Sequence, residues 1–228
     1  GAADGLSASE QYVAAMGAGW NLGNSFDGVD TDLSVEDKGE TAWGNPVVTR
    51  ELIHSVKEKG YQSIRIPLTL HHRFTSEDGV YTIDPKWLAR YKEVVDCAVE
   101  EGLYVMVNIH HDSWIWLKDW NGDTKAEEYT KFTQLWQQLA SYLAEEPQQV
   151  CFETINEPQF TAYKNVTDQQ RLDSLNRAAY QIIRESGGNN KERMIVMPTM
   201  NTNHAEEKVQ GLLTFMQELN DPNLIATV

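Results

Sequence analysis

Apolar positions along this chain follow two alternating rhythms. Short, almost wholly apolar runs starting near Trp20, Ile64, Val105, Cys151, Ile195 and Leu224 read as strands. Between them, apolar residues recur every three or four positions, as on one face of a helix. In the segment from Asn45 to Gly60, Val48, Leu52, Ile53 and Val56 share a helical face. Asn45 is placed to cap it, Pro46 to open it and Gly60 to follow its end. The segment from Asp84 to Gly102 repeats this grammar, with Asp84 capping and Pro85 opening. Further helices are expected over residues 125–145 and 167–188 and before the last strand.

Strands that are apolar throughout are covered on both faces, which marks a parallel sheet flanked by helices. Six such strands fit either a doubly wound open sheet or part of a barrel. No G-x-G-x-x-G follows the first strand, so a dinucleotide fold lacks its usual support. An eight-stranded barrel runs to about 250 residues, and this chain stops on "LIATV", in or at the end of a strand. The expected fold is therefore α/β, a (β/α)8 TIM barrel with about the first six β/α units present. They form one domain over residues 1–228, truncated before strands seven and eight.

Composition narrows the partners. The chain has 228 residues, of which 41% are hydrophobic and 23% charged, as in a globular domain with a sizeable core. A formal net charge of -15 argues against nucleic acid, because a phosphate backbone demands clustered Lys and Arg. No apolar run is long enough to span a bilayer, so no membrane partner is expected. Cys97 and Cys151 both sit among apolar neighbours and read as unpaired buried thiols, which leaves the redox compartment open. The "GAADGLSAS" start lacks a charged segment followed by an apolar one. It reads as an intracellular start or as a mature end whose signal peptide has been removed.

The chemistry gathers where strands end, which in parallel α/β folds is the functional lip. The run that opens with Val150, Cys151 and Phe152 is expected to carry Thr154 and Asn156 on one strand face, with Glu157 just past it, and halts at Pro158, which has no backbone donor to continue a sheet. Other strand ends bring Asn21, Asn24, Arg65, Asn108, His110, His111, Asp112, Thr199, Asn201 and Asn203. A carboxyl partly desolvated at such a lip is a usable acid near neutrality. Asn156 can donate to one substrate hydroxyl and accept from another. Trp114, Trp116 and Trp120 crowd the loop after the third strand and Trp43 the loop after the first, offering flat faces to sugar rings. Trp87 and Trp136 fall on helices and are assigned to the core. The pairs His71–His72 and His110–His111 supply metal-ligand types. Neighbours on a strand point to opposite faces, however, and no H-E-x-x-H helix exists. No metal and no cofactor is expected.

These residues match a family. "GWNLGNSFD" at 19–27, "ETAWGNP" at 40–46, "SIRIP" at 63–67, "VNIHHD" at 107–112 and "INEP" at 155–158 occur in the order and spacing of glycoside hydrolase family 5. The chain thus resembles the (β/α)8-barrel cellulases and mannanases over residues 10–228. The resemblance implies Glu157 as general acid/base and Asn156 as the contact to the sugar 2-hydroxyl. It implies that Arg65 and His110 orient and charge-balance a nucleophile. Asn24, Trp43 and His111 become sugar contacts on the glycone side, with Trp114 and Trp116 as further substrate-binding candidates.

Two departures stand out. Leu70 occupies a position where many relatives carry a tryptophan, and the nucleophilic Glu that the family carries at the end of strand seven is not in the chain. Asp112 would sit beside Glu157 rather than opposite it, and Glu153 too deep in its strand to reach the same sugar. The resemblance therefore implies a retaining endo-β-1,4-glucanase, secreted after signal-peptide removal. Its expected partners are a β-linked polysaccharide and the C-terminal remainder of the barrel, in the same or another chain. Alternatives are a mannanase, xyloglucanase or xylanase, or a non-catalytic sugar-binding fragment.

Overall fold

The computed structural model describes residues 5–228. Residues 1–4, which open the stretch read as a possible mature N-terminus, lie outside the described residues. Helix α1 (Ala8–Met16) leads into β1 (Gly19–Asn21), α2 (Arg50–Glu58), β2 (Ser63–Ile66) and a hairpin of β3 (Phe74–Glu77) and β4 (Val80–Ile83). Then come α3 (Pro85–Glu100), β5 (Tyr104–Asn108), the single turn α4 (Asp112–Ile115), α5 (Glu127–Tyr142) and β6 (Val150–Glu153). Helix α6 (Asp168–Glu185), β7 (Ile195–Pro198), α7 (Glu206–Leu219) and β8 (Leu224–Thr227) complete the chain. Six strands form one sheet in the order β1-β2-β5-β6-β7-β8, every pairing parallel. All six stand where the sequence places them.

Two local readings change. Helix α2 begins at Arg50, and its N-cap is Thr49, whose side chain accepts from Leu52 N–H at 3.2 Å. Asn45 instead donates to Gly23 O at 3.2 Å, tying this loop to the one after β1 and leaving Pro46 outside the helix. The β3–β4 hairpin is an addition to the β/α repeat. Asp78 (φ 51°) and Gly79 (φ 77°) turn it in the left-handed backbone that suits a tight hairpin. Gln134 and Gln138 of α5 bond its backbone at Tyr81, Gly79 and Ile83.

Register sets the inner face of the sheet. Asn21, Arg65, Met106 and Cys151 lie in one row across β1, β2, β5 and β6. Asn108 and Glu153 pair across β5 and β6, two residues further on and so on the same face. The lower part of that face is apolar: Cys151, Met194 and Val196 pack with Met106 and Ile225, and α1 covers them with Tyr12 and Met16. The main core lies on the other side, between sheet and helices, around Val105, Val107, Phe152, Phe132 and Trp136. Both cysteines are free and buried, as the sequence suggests, and burial pushes the Cys151 thiol up to about 12.

Candidate active site

Above the apolar floor the inner face turns polar, and its centre is Glu153. This carboxylate is only 3% exposed. Its Oε1 accepts from Arg65 Nη2 and from Asn108 Nδ2, the latter at 2.8 Å. The same Arg65 nitrogen donates to Asn156 Oδ1 at 2.9 Å. Arg65 starts one row lower and one strand beyond β5, so its long side chain reaches up along the face to both acceptors. Sequence reasoning passed over Glu153 as too deep to touch a sugar. The structure makes it the counter-charge that holds Arg65.

This knot fixes the polarity of its neighbours. Asn108 Oδ1 accepts from Leu68 N–H at 3.1 Å while its amide nitrogen donates to Glu153 and to His110 Nδ1, the latter at 2.9 Å. Leu68 N–H can only donate and an ionised carboxylate can only accept, so the orientation of the Asn108 amide follows. His110 Nδ1 is therefore an acceptor, and the ring proton sits on Nε2. Burial, and next Arg65 and His111, push the His110 imidazole down to about 3, so it stays a neutral donor. Asn156 is constrained in the same way. Its oxygen accepts from Arg65, which fixes which way the amide points and leaves its N–H groups and one further lone pair for a ligand.

Glu157 lies past β6, in a left-handed backbone (φ 41°) that an L-residue adopts only under constraint. The constraint comes from both sides. Asn156 N–H donates to Ile109 O at 3.0 Å, and Asn201 N–H donates to Pro158 O at 2.7 Å. The carboxylate is exposed, and among the described residues it makes no hydrogen bond or ion pair. The partial desolvation expected at the lip is thus not met, because the turn carries the side chain clear of the buried knot. Asp112, by contrast, is fully buried and accepts from Leu70 N, His71 N and Trp116 Nε1. It is a loop organiser.

The rim is aromatic. Trp43 (43% exposed) and Trp114 (37% exposed) flank His111, with ring centroids 5.0 and 5.7 Å from it. Asn24 is exposed on the loop after β1, at φ 64°. Trp116 and Trp120 are not part of the rim. Trp116 is only 8% exposed, with its indole N–H on Asp112 and Lys131 over its ring. Trp120 is fully buried, stacked on Tyr129 and bonded to Asp123 O. A tight loop closed by α4 and a one-turn helix folds them inward, so neither can stack on a sugar.

His110 and His111 also differ from expectation. Regular strand ends at Asn108, and His111 has already turned helical (φ −74°, ψ −11°), so the two rings meet edge to face at 4.5 Å. With Asp27 they bring three metal-ligand atoms within 4.8 Å of one another. The donor set fits a cation poorly. The Trp114 indole N–H occupies His111 Nδ1, which commits the proton to the nitrogen facing Asp27.

The sequence profile of the cellulase family, glycosyl hydrolase family 5, matches residues 24–228. The chain belongs to glycoside hydrolase family 5. Endoglucanase B of Paenibacillus lautus is 39% identical over 225 residues, covering 97% of this chain and 38% of that protein. Endoglucanase A of Clostridium longisporum is 37% identical, over 98% of this chain and 43% of its own length. Among solved structures, a trimodular endoglucanase of family 5 subfamily 4 superposes with a TM-score of 0.89 at 43% identity, covering 97% of this chain and 40% of that one. The chain thus spans less than half the length of these relatives. As a family 5 chain it is an arc of the family's TIM barrel, six β/α units long. Glu153 had a readable signal: a charge inside an otherwise apolar buried strand needs a partner. Asp27, buried beneath His111, had none.

Proposed function

We propose that this chain forms the acid/base side of a retaining endo-β-1,4-glucanase cleft, acting on β-1,4-glucan. The observation that carries the reading is the Arg65–Glu153–Asn156 knot. It holds an amide of fixed orientation past the strand end, next to a carboxylate set in strained backbone and, among the described residues, free of other bonds. In this reading Asn156 N–H bonds a sugar hydroxyl and His110 Nε2–H donates into the same site. Glu157 gives its proton to the glycosidic oxygen as the bond to the anomeric carbon breaks. It then takes a proton from the water that releases the sugar from the nucleophile. Trp43, His111, Trp114 and Asn24 contact the glycone side.

The second carboxylate of a retaining pair stands about 5–5.5 Å from the first. The other carboxylates at this lip are engaged: Glu153 by Arg65, Asp112 by three N–H groups, Asp27 by His111. We therefore assign the nucleophile to polypeptide beyond this segment, in the same or another chain, and expect the 228 residues alone not to turn over. A polymeric substrate does not cross a membrane, so the enzyme is assigned to the cell exterior. A second reading, xyloglucan as substrate, is favoured by the likeness to a xyloglucan-specific endo-β-1,4-glucanase (32% identity, TM-score 0.83).

The test is hydrolysis of carboxymethylcellulose, xyloglucan, glucomannan and xylan by the protein carrying this segment, with and without Glu157→Gln. The reading expects cleavage of carboxymethylcellulose, abolished by Glu157→Gln, with activated aryl glycosides affected less. Equal losses on both substrate types would remove Glu157 from the acid role. Preference for xylan or mannan would overturn the substrate.

A further inference from the structure

The two nitrogens of His111 have different partners. Nδ1 takes the Trp114 indole N–H at 2.8 Å, and Nε2 faces Asp27 Oδ2 at 3.2 Å. An indole nitrogen can only donate, so Nδ1 must be bare and the proton of the neutral ring sits on Nε2. Asp27 favours that tautomer. Its side chain is buried, and its other oxygen is taken by Ser25 N–H at 3.0 Å, so it offers His111 an acceptor and nothing else. Burial works to raise the Asp27 carboxyl, yet the group is held below its usual value, with the His111 hydrogen bond the largest of the lowering effects. Trp114 sits on the four-residue turn α4, with 37% of its surface exposed and one hydrogen bond to fix its ring.

We propose that Asp27 is a positioning residue for the sugar platform. By holding His111 as the Nε2–H tautomer, it gives the Trp114 indole a fixed acceptor and so presents that ring in one orientation. Asp27 lies beneath His111 and touches no ligand. The benefit is preorganisation: a ring already held in its binding orientation loses less freedom when a sugar stacks on it. The proposal rests on the β-glucan reading of the cleft, and its two halves are tested separately.

Asp27→Asn is the sharp perturbation because it keeps shape and changes polarity. If the new amide oxygen stays on Ser25 N–H, its NH2 faces His111 Nε2. Two donors then oppose each other and the ring proton must move to Nδ1, where it excludes the Trp114 N–H. If the amide turns the other way, the buried Ser25 N–H meets a donor and loses its bond. Nitrogen-15 NMR of selectively labelled histidine and tryptophan on the full chain reads the tautomer of His111 and the indole N–H of Trp114. Expected are an Nε2–H ring in the wild type, a shift to Nδ1–H in Asp27→Asn, and release of the Trp114 indole. Cellotetraose affinity should fall about tenfold in Asp27→Asn and in the surface variant Trp114→Phe, which keeps a ring but loses the donor. The double variant should fall no further, because both changes break one relay.

An Nδ1–H ring in the wild type, a lowered affinity in Asp27→Asn with an unchanged tautomer, or two affinity losses that multiply would each overturn the proposal. So would a changed tautomer with unchanged affinity. If the wild type binds no cellotetraose, the β-glucan reading and the platform role fail together, while the tautomer spectra still decide the relay. Should Asp27→Asn unfold, the wild-type spectrum and Trp114→Phe carry the decision.

Discussion

Removing the Glu153 carboxylate should cost this chain more than removing any surface charge. Glu153→Ala leaves the Arg65 guanidinium without its counter-charge and Asn108 with an unpaired N–H. Breaking a fully buried ion pair by deleting one partner costs about 3–5 kcal/mol. The Arg65 side chain is 27% exposed, so water recovers part of that and the loss falls to roughly 2–4 kcal/mol. For a chain of this size, each kcal/mol moves Tm by about 2–4 °C. Urea unfolding should therefore show the loss directly, and calorimetry a Tm lower by roughly 5–15 °C. The pair itself is not a source of stability, since apolar residues of similar volume replace such pairs at little cost. Arg65→Met with Glu153→Leu should recover most of the loss, while oligosaccharide binding should weaken, because nothing then orients the Asn156 side chain. A Glu153→Ala change within about 0.5 kcal/mol of wild type, or a double variant no more stable than the single one, would refute this account.

Trp120→Ala should destabilise the fold by about 3–5 kcal/mol in chemical denaturation, since the ring is fully buried. Trp114→Ala should leave stability within about 0.5 kcal/mol and weaken cellotetraose binding by titration calorimetry. Gly28→Ala would put a Cβ 3.1 Å from Trp43 Cγ, so it should displace that ring and lower oligosaccharide affinity several-fold, with a shift in Trp43 fluorescence as the check. Burial and the Asp96 carboxyl push Glu146 up to about 7, so the folded chain holds a proton that the unfolded chain has lost, and stability should fall as pH rises from about 4.5 to 7. His110, pushed down to about 3, works in the opposite sense: its contribution is lost as pH falls from about 6.5 toward 3. Because the two slopes oppose each other between about 4.5 and 6.5, the measurement is the difference in stability between wild type and Glu146→Gln across that window. A flat difference would remove Glu146 as the cause.

The β/α repeat was legible because a strand covered on both faces must be apolar along its length, and five strands closed by polar ends left little choice. Asn156 and Glu157 were legible as a segment past the strand because Pro158 forbids continued pairing, but the strand already ends at Glu153, so Asn156 is not the strand residue that alternation suggested. What escaped depends on the third dimension. Trp114, Trp116 and Trp120 look alike in sequence, yet one loop conformation exposes the first and buries the others. The His110–His111 encounter needed the strand to end at Asn108, a boundary that periodicity does not fix to one residue. The β3–β4 hairpin was readable from Asp78-Gly79, a tight-turn pair between two β-rich runs.

The Arg65–Asn156 bond carries a consequence for how the strand end meets a ligand. With its oxygen held by Arg65, the Asn156 amide cannot turn over, so the order of its N–H groups and its remaining lone pair is set before anything binds. On the β-glucan reading, a hydroxyl that both gives and accepts can answer that order. A methyl ether at the same carbon can only accept, and it would leave the lone pair unanswered.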